Sequence, residues 1–184
     1  ETAKMFAARG IPVFDSDAAV HALYAEGGEA VSAIEKLAPS AISHGGVDRR
    51  QLAILIQADA TLLPKIEAVV HPLVKARQKA FLARAEAAGC DIAMLDIPLL
   101  FETGREADVD VVIVVSTHKD LQRARAMQRP GMTAEKLDFI MSRQLPDEEK
   151  RRRADYVIDT SVSLADTARE VDSVITDMRS RAGR

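Results

Sequence analysis

The chain has 184 residues, 47% of them hydrophobic and 29% charged, which is enough to bury the core of one compact domain. A net charge of −3 excludes a general polyanion binder, and the single cysteine, Cys90, excludes an internal disulfide. No apolar run approaches the length of a membrane span and no signal peptide is visible, so we expect a cytoplasmic protein.

The beginning of the chain predicts a helix over residues 1–9 that is already under way, because no N-cap precedes it, and that ends at Gly10. We therefore expect a segment upstream of Glu1. Residues 11–14 predict a short strand. Residues 18–89 are almost wholly helical in pattern, without a convincing strand, and with breaks at Gly27–Gly28, Pro39 to Gly46, Pro64 and Pro72.

The second half of the chain alternates strands and helices. Strands are predicted at 91–97, 109–115 and 156–158, basic helices at 119–129 and 133–153, and a last helix with an apolar side made of Leu164, Ala168, Val171, Val174, Ile175 and Met178. Strands separated by helices predict an α/β fold with a parallel sheet, whose ligands bind beyond the carboxyl ends of the strands. Four groups that fall at such ends should converge on one crevice: Asp15 to Asp17, Pro98 to Glu102, Ser116 to Lys119, and Asp159 to Ser161.

Asp15 and Asp17 follow the first predicted strand directly. Two such carboxylates can bind Mg²⁺ through water, or one can accept a proton from an attacking hydroxyl. Alternatively, Asp15 or Ser16 caps the helix that starts near Ala18. The pattern leaves both interpretations open, and one aspartate can cap while the other takes part in the chemistry.

Residues 119–153 hold ten of the 25 lysines and arginines, which indicates a local anion site on an acidic body. Gln122, Arg125 and Arg129 are spaced to share one helix face, and two guanidinium groups there suit a phosphate chain. A solvated basic face is the alternative for any one arginine. The breaker Pro130–Gly131 beside them suggests a mobile lid.

The remaining candidates for chemistry are weaker. His71–Pro72 is predicted to begin a long helix away from any strand end, so catalysis by His71 is not expected on pattern alone. No histidine spacing with Cys90 matches a metal site, and no strand-turn-helix elbow supports Ser-His-Asp hydrolysis.

Seven segments, in register over essentially the whole chain, resemble dephospho-CoA kinases of the bacterial type. They are Gly10 to Asp17 with His21, Val47–Asp48–Arg49 with Leu52, His71–Pro72–Leu73, Asp96 to Glu102, Gln122 with Arg125 and Arg129, Gln144 with Lys150, and Ala154 to Asp159. The resemblance implies a P-loop NTPase fold of the nucleoside-monophosphate-kinase type, a three-layer parallel sheet with a helical acceptor-binding insertion and a helical lid. The implied division is a core of 1–26, 91–118 and 154–184, an insertion at 27–90 and a lid at 119–153.

The reaction implied by the resemblance is transfer of the ATP γ-phosphate to the ribose 3′-hydroxyl of dephospho-CoA, the last step of coenzyme A synthesis, with Mg²⁺. Asp17 looks like the family's catalytic aspartate, and Arg125 and Arg129 like lid arginines that neutralise the triphosphate. The segments that the family uses for the acceptor hold Asp15, Arg49, His71 and Pro98, Leu99, Leu100 and Phe101. Asp159 and Thr160 would border the adenine. No nucleic-acid or membrane partner is implied.

Two departures from the family pattern matter. Thr160 stands where the family usually has Asn, so adenine contacts there would use backbone groups. The Gly-rich loop ending in Gly-Lys-Ser is expected immediately before Thr2, together with the first strand of the sheet. Two alternatives are another P-loop nucleoside or nucleotide kinase, which the large insertion disfavours, and a non-catalytic nucleotide-binding module, which Asp17, Arg125 and Arg129 disfavour.

Overall fold

The computed structural model describes residues 1–182, and the chain divides into two compact units. The middle unit is Ile11–Pro98, and the terminal unit combines Glu1–Gly10 with the chain from Leu99 onward. In chain order the elements are α1 (Thr2–Ala7), β1 (Val13–Asp15), α2 (Ser16–Tyr24), α3 (Val31–Leu37), a 3₁₀ helix (Pro39–Ala41), β2 (Ile42–Ser43), β3 (Gly46–Val47), α4 (Arg49–Ala58), α5 (Leu62–Ala87), β4 (Met94–Asp96), a second 3₁₀ helix (Arg105–Asp108), β5 (Ile113–Ser116), α6 (Lys119–Met127), α7 (Ala134–Ser142), α8 (Asp147–Arg153), β6 (Tyr156–Asp159) and α9 (Leu164–Ala182).

In the middle unit, β1 and β4 form a parallel pair in which Val13 is the partner of Met94 and Asp15 the partner of Asp96. The two strands therefore end side by side. Helices α2 and α3 pack on the long helix α5 around a common core. Its fully buried members include Leu23, Ala30, Ile34 and Ala41, joined by Ile66 and Val70 of α5.

Two sequence predictions for the middle unit were wrong. The stretch 18–89 does contain strands, because β2 and β3 form an antiparallel hairpin around His44–Gly45. His44 and Gly45 have φ of 48° and 74°, and two consecutive positive values are typical of the type I′ turn that favours two-residue hairpin loops. Strands of two residues are too short to show an alternating pattern, so the sequence did not reveal them.

The second correction is that α5 begins at Leu62 and runs through Pro72, so His71 does not begin a helix. Pro64 lies in the first turn, where a missing N–H removes no helical hydrogen bond. A proline inside a helix costs about 3 kcal/mol. The apolar stripe continues across it, because Leu62, Ile66, Val70 and Val74 are all buried at a spacing of four. We infer that this packing offsets the cost.

In the terminal unit, β5 and β6 form a second parallel pair, with Ile113 opposite Tyr156 and Ser116 opposite Asp159. Helix α9 packs on β6, and α1 packs on α9. The fully buried residues at this junction are Phe6, Ile158, Thr167 and Val171. The parallel pairing predicted from the sequence is confirmed for both strand pairs. Among the described helices, none combines the length and apolarity that a membrane crossing requires.

Three expectations for the terminal unit need correction. The helix predicted at 133–153 is two helices, α7 and α8, separated at residues 143–146, because Pro146 disfavours helical geometry at the residue before it. Arg129 lies two residues beyond the end of α6 rather than on its face. Leu164 is 68% exposed, so the buried side of α9 begins only at Thr167.

Candidate active site

Three carboxylates gather where β1 and β4 end. Asp15 and Asp96 are neighbours across the parallel pair, and Asp17 lies in the first turn of α2, directly after β1. The Oδ1 atom of Asp15 accepts the backbone N–H of Ala18 at 2.9 Å, which makes Asp15 the N-cap of α2. The capping interpretation is therefore confirmed for Asp15, while the exposed Asp17 is not the cap and its catalytic role stays a prediction.

The electrostatic consequence of this crowding appears at Asp96. Partial burial raises the pKa of the Asp96 carboxyl above its usual value, and the negative charges of Asp15 and Asp17 raise it further. Like charges in one place disfavour ionisation, so the site favours a proton, a cation or a hydrogen-bond donor beside these carboxylates. A carboxyl whose pKa is shifted by burial and by neighbouring charges is typical of sites that bind protons or charged ligands.

The other predicted residues of the middle unit lie on its helices. Arg49 is the first residue of α4, whose N-cap Asp48 accepts the backbone N–H groups of Arg50 and Gln51. Burial raises the pKa of the Tyr24 hydroxyl, and the positive charge of Arg49 opposes that shift, so the two side chains are close enough to interact. His71 is exposed in the middle of α5, and Pro98 is exposed after β4.

An open cleft of about 360 Å³ lies beside the carboxylates, and the sequence did not indicate it. Its lining residues are Phe14, Asp15, Ala19, Arg77, Ala80 and Arg84. Arg77 forms an ion pair of 2.7 Å with Glu29. Arg77, Ala80 and Arg84 follow a spacing of three and four residues, which puts them on one face of α5. That spacing was available in the sequence, but the breaks expected at Pro64 and Pro72 hid the continuous helix that gives it meaning.

In the terminal unit, the ends of β5 and β6 are tied together by Thr160. Its backbone N–H and its Oγ1 both donate to the carbonyl oxygen of Ser116, at 2.8 and 3.0 Å. The Ser116 hydroxyl is buried and donates to Asp147 of α8 at 2.7 Å. Two of the four strand-end groups predicted from the sequence therefore meet within this unit.

Asp159, the last residue of β6, is fixed by local hydrogen bonds. Its Oδ1 accepts the backbone N–H of Ser161 at 2.7 Å, and its own N–H donates to Glu170 at 2.8 Å. The hydrogen bond from the Ser161 N–H lowers the pKa of the Asp159 carboxyl, so it is ionised at neutral pH. The carboxylate shapes the turn that carries Thr160.

The arginines of residues 119–153 divide into two groups. Arg123 pairs with Asp138 at 2.6 Å, Arg152 pairs with Glu149, and Arg153 pairs with Glu106 and lies over the ring of Phe101. The pairs of Arg123 and Arg153 join different elements of the terminal unit, whereas the pair of Arg152 lies within α8. Arg125, by contrast, is exposed, and its contact is a long one of 3.5 Å to Oγ1 of Thr160. Arg129 is also exposed, and among the described residues it forms no ion pair.

The segment after β4 packs into the terminal unit. Phe101 is buried with Val112 and Val114, and Leu100 packs against that cluster. Leu99 is exposed and has a φ of 57°, a left-handed conformation that is uncommon outside glycine. Such strain is found where the surrounding structure holds a segment in one conformation, often near a functional site.

Glu102, at the end of this segment, makes two contacts that the sequence did not predict. Its Oε1 accepts the backbone N–H of Leu145 at 2.8 Å and the Nζ of Lys150 at 2.9 Å. Burial raises the pKa of the Glu102 carboxyl, but the hydrogen bonds from Lys150 and Leu145 outweigh burial, so the pKa is lowered. Glu102 thereby holds the start of α8, which carries Asp147.

Across the part of the chain that the structure describes, no three His, Cys, Asp or Glu side chains form a group able to hold a metal ion. The carboxylates at the ends of β1 and β4 attract cations, but the protein side chains alone do not complete a coordination shell. A divalent ion here would need most of its ligands from a bound molecule or from water.

Comparison with known proteins gives consistent results. Residues 1–166 match the sequence model of CoaE, dephospho-CoA kinase. The chain is 50% identical over 182 residues to a dephospho-CoA kinase of Mesorhizobium japonicum, covering 99% of this chain and 91% of the relative. It is 48% identical over 181 residues to that of Rhizobium etli, with coverages of 98% and 88%.

Solved structures agree on the fold. TT1252 from Thermus thermophilus is 36% identical and superposes with a TM-score of 0.79, over 95% of this chain and 88% of that one. A dephospho-CoA kinase from Campylobacter jejuni, at 22% identity, superposes with a TM-score of 0.65 over 96% and 89%. The α/β fold is that of P-loop NTPases, and the chain belongs to the dephospho-CoA kinase family.

Proposed function

We propose that this kinase transfers the γ-phosphate of ATP to the ribose 3′-hydroxyl of dephospho-CoA. The observation that carries the proposal is that Asp15 caps helix α2 whereas Asp17 does not. Asp15 is used as the helix cap, which leaves the exposed Asp17 beside a strand end, where a reacting hydroxyl can approach. The family membership of the chain supplies the substrates.

Asp17 is the proposed catalytic residue, which orients the attacking hydroxyl and accepts its proton. Phosphoryl transfer requires little covalent help from a protein, and its rate depends on positioning and on neutralising charge. Asp15, next to it, fixes the first turn of α2 and faces the cleft on the acceptor side. Its capping bond holds the backbone on which Asp17 is carried.

On the acceptor side, Arg49, His71 and the residues from Pro98 to Phe101 are proposed to contact dephospho-CoA. Arg49 and His71 are exposed on helices α4 and α5, where a ligand can reach them. Residues 27–90 would then form the acceptor-binding insertion, within a core of 1–26, 91–118 and 154–184. The buried side chain of Phe101 contributes chiefly by holding the exposed Leu99 and Pro98 in place.

On the nucleotide side, Arg125 and Arg129 are proposed to neutralise the triphosphate of ATP, with 119–153 as a lid. Both guanidinium groups are exposed and are not engaged in ion pairs among the described residues, unlike their neighbour Arg123. Asp159 and Thr160 are proposed to border the adenine, chiefly through the backbone of their turn. Thr160 fits this role because its hydroxyl proton is used on Ser116.

Mg²⁺ is proposed to enter with ATP rather than as an ion held by the protein, because the described side chains form no complete metal site. When bound, the ion would neutralise phosphate charge, and the carboxylates of Asp15, Asp17 and Asp96 would favour its presence. We also propose a cytoplasmic location, with ATP and dephospho-CoA rather than nucleic acid or membrane as partners.

The experiment that tests the function is a turnover assay with purified protein, ATP and Mg²⁺. We expect dephospho-CoA to be converted to a product heavier by one phosphate, with release of ADP, both followed by mass spectrometry. AMP and adenosine, which offer a 3′-hydroxyl without pantetheine, should react far more slowly. Equal turnover of AMP would favour a nucleotide kinase, and no turnover of any acceptor would contradict the proposal.

A further inference from the structure

The cleft of the middle unit is lined by an arginine, Arg84, that has no role in the proposed function. Arg77 and Arg84 both line it, and they are seven residues apart on α5, or about 10 Å along the helix axis. Arg77 is paired with Glu29 at 2.7 Å. Arg84 is exposed and forms no ion pair among the described residues.

We propose that Arg84 is a binding residue for the diphosphate of the acceptor, which makes this cleft the acceptor's phosphate subsite. The inference rests on the proposed function, because it names the part of dephospho-CoA that this cleft receives. A diphosphate is the only strongly anionic group of dephospho-CoA, and it lies on the same ribose as the reacting 3′-hydroxyl. The subsite must therefore be close to the residue that receives the proton.

The composition of the cleft fits that location. Asp15 lines it, and Asp17 is two residues further along the chain, so the cleft adjoins the proposed base. Its other lining groups are apolar, namely Phe14, Ala19 and Ala80. A guanidinium beside an apolar surface is less well hydrated than one in open water, which strengthens its bidentate hydrogen bonds to phosphate oxygens.

The charges around the cleft single out Arg84 rather than Arg77. Glu29 neutralises Arg77, whose side chain is 31% exposed. Asp15 also lines the cleft, and its carboxylate, whose Oδ1 accepts the backbone N–H of Ala18, would repel a phosphate on its own side of the cleft. The guanidinium of Arg84, which forms no ion pair within the part of the chain that the structure describes, is thus the group whose charge an incoming diphosphate meets without displacing a protein carboxylate.

The test compares wild-type protein with Arg84→Gln, Arg84→Lys and Lys79→Gln. Lys79 is the matched control, because it is an exposed cation on the same helix that does not line the cleft. Binding of dephospho-CoA is measured by isothermal titration calorimetry, and turnover is measured with each substrate varied in turn while the other is saturating. Circular dichroism confirms that each variant is folded.

We expect Arg84→Gln to weaken dephospho-CoA binding and raise its KM about ten- to a hundredfold, as for loss of a charged hydrogen bond. The kcat and the KM for ATP should stay near wild type, and Lys79→Gln should change none of these values. Arg84→Lys keeps the positive charge but loses the planar guanidinium that donates two parallel hydrogen bonds, so it should raise the KM for dephospho-CoA by a smaller factor. This variant decides the question if Arg84→Gln does not fold.

Two failures are distinguishable. If wild-type protein phosphorylates dephospho-CoA but neither Arg84 variant alters its binding or KM, the subsite is wrong and the function stands. If wild-type protein does not phosphorylate dephospho-CoA, the proposed function is wrong. An equal loss of affinity in Lys79→Gln would also overturn the subsite, because it would show a diffuse charge effect.

Discussion

The Nη1 atom of Arg125 lies 3.5 Å from Oγ1 of Thr160, so the exposed arginine of α6 reaches the turn that follows β6. The hydroxyl proton of Thr160 is donated to the carbonyl of Ser116, which leaves its lone pairs for Arg125. A contact of this length is weak and holds the guanidinium only loosely. This weak contact supports the proposal that Arg125 contacts the phosphate chain of a bound nucleotide.

We expect Arg125→Gln to lower kcat by about 10²–10³, because a charge aimed at the transferring phosphate is removed. The matched control is Arg123→Gln on the same helix. Arg123 pairs with Asp138 on the surface, where an exposed ion pair contributes little to stability. Steady-state kinetics decide between the roles: equal losses of kcat in the two variants would contradict a specific role for Arg125.

Asp17→Asn should lower kcat by about 10²–10⁴, the usual contribution of general acid–base catalysis, with little change in folding. The residue is exposed and is not the cap of α2, so its charge is not needed for the helix. Turnover of dephospho-CoA and thermal unfolding are measured on the same samples. Glu35→Gln, an exposed acid on α3, is the control. Near-normal turnover of Asp17→Asn would remove Asp17 from the mechanism.

The strands of the two parallel pairs and most helices were predictable because their signals are local. The β-branched run before Ser116 and the apolar run before Asp96 each predicted one strand of a parallel pair, although each of these two observed strands is shorter than its run. The continuity of α5 was not predictable in this way. Whether Pro72 ends a helix depends on how strongly the flanking stripe is buried, and burial is a property of the tertiary structure.

In the candidate site, too, some features have local sequence signals and others depend on the tertiary structure. Asp15 and Asp17 were identified from their place after a strand, and the structure resolved which of them is the cap. The clamp formed by Glu102 and Lys150 joins residues 48 positions apart, and no local spacing could have paired them. Arg84 escaped notice because an arginine on a helix is usually solvated, and only the cleft distinguishes it.

Glu102→Ala should lower the free energy of unfolding by about 1–3 kcal/mol, because the N–H of Leu145 and the ammonium of Lys150 lose their acceptor. Glu102→Gln keeps an acceptor for Leu145 and should lose less. The pKa of Glu102 is lowered in the folded state, so its stabilisation is present above the unfolded value and is lost as pH falls through the folded pKa.

Urea denaturation of wild type and both variants at neutral and acidic pH measures these differences. The stability gap between wild type and Glu102→Gln should narrow as the pH falls below the ordinary glutamate value of 4.5. A gap that stays constant with pH would mean that the ionised carboxylate does not hold Lys150 in solution.

The contribution of Asp96 to stability should depend on pH in the opposite direction to that of Glu102, and the variant Asp96→Asn tests this. The pKa of Asp96 is raised by burial and by the charges of Asp15 and Asp17, so its contribution to stability is fully present below the ordinary aspartate value of 3.8 and is lost as pH rises through the folded pKa. The amide carries no charge and should remove this loss, making the variant more stable than wild type at neutral pH. Thermal unfolding at several pH values checks the sign, and Glu67→Gln, at an exposed acid on α5 of the same unit, is the comparison. Because a bound cation would relieve the same repulsion, adding Mg²⁺ with ATP should reduce the advantage of Asp96→Asn. An advantage that persists unchanged would mean that no positive charge enters beside these carboxylates.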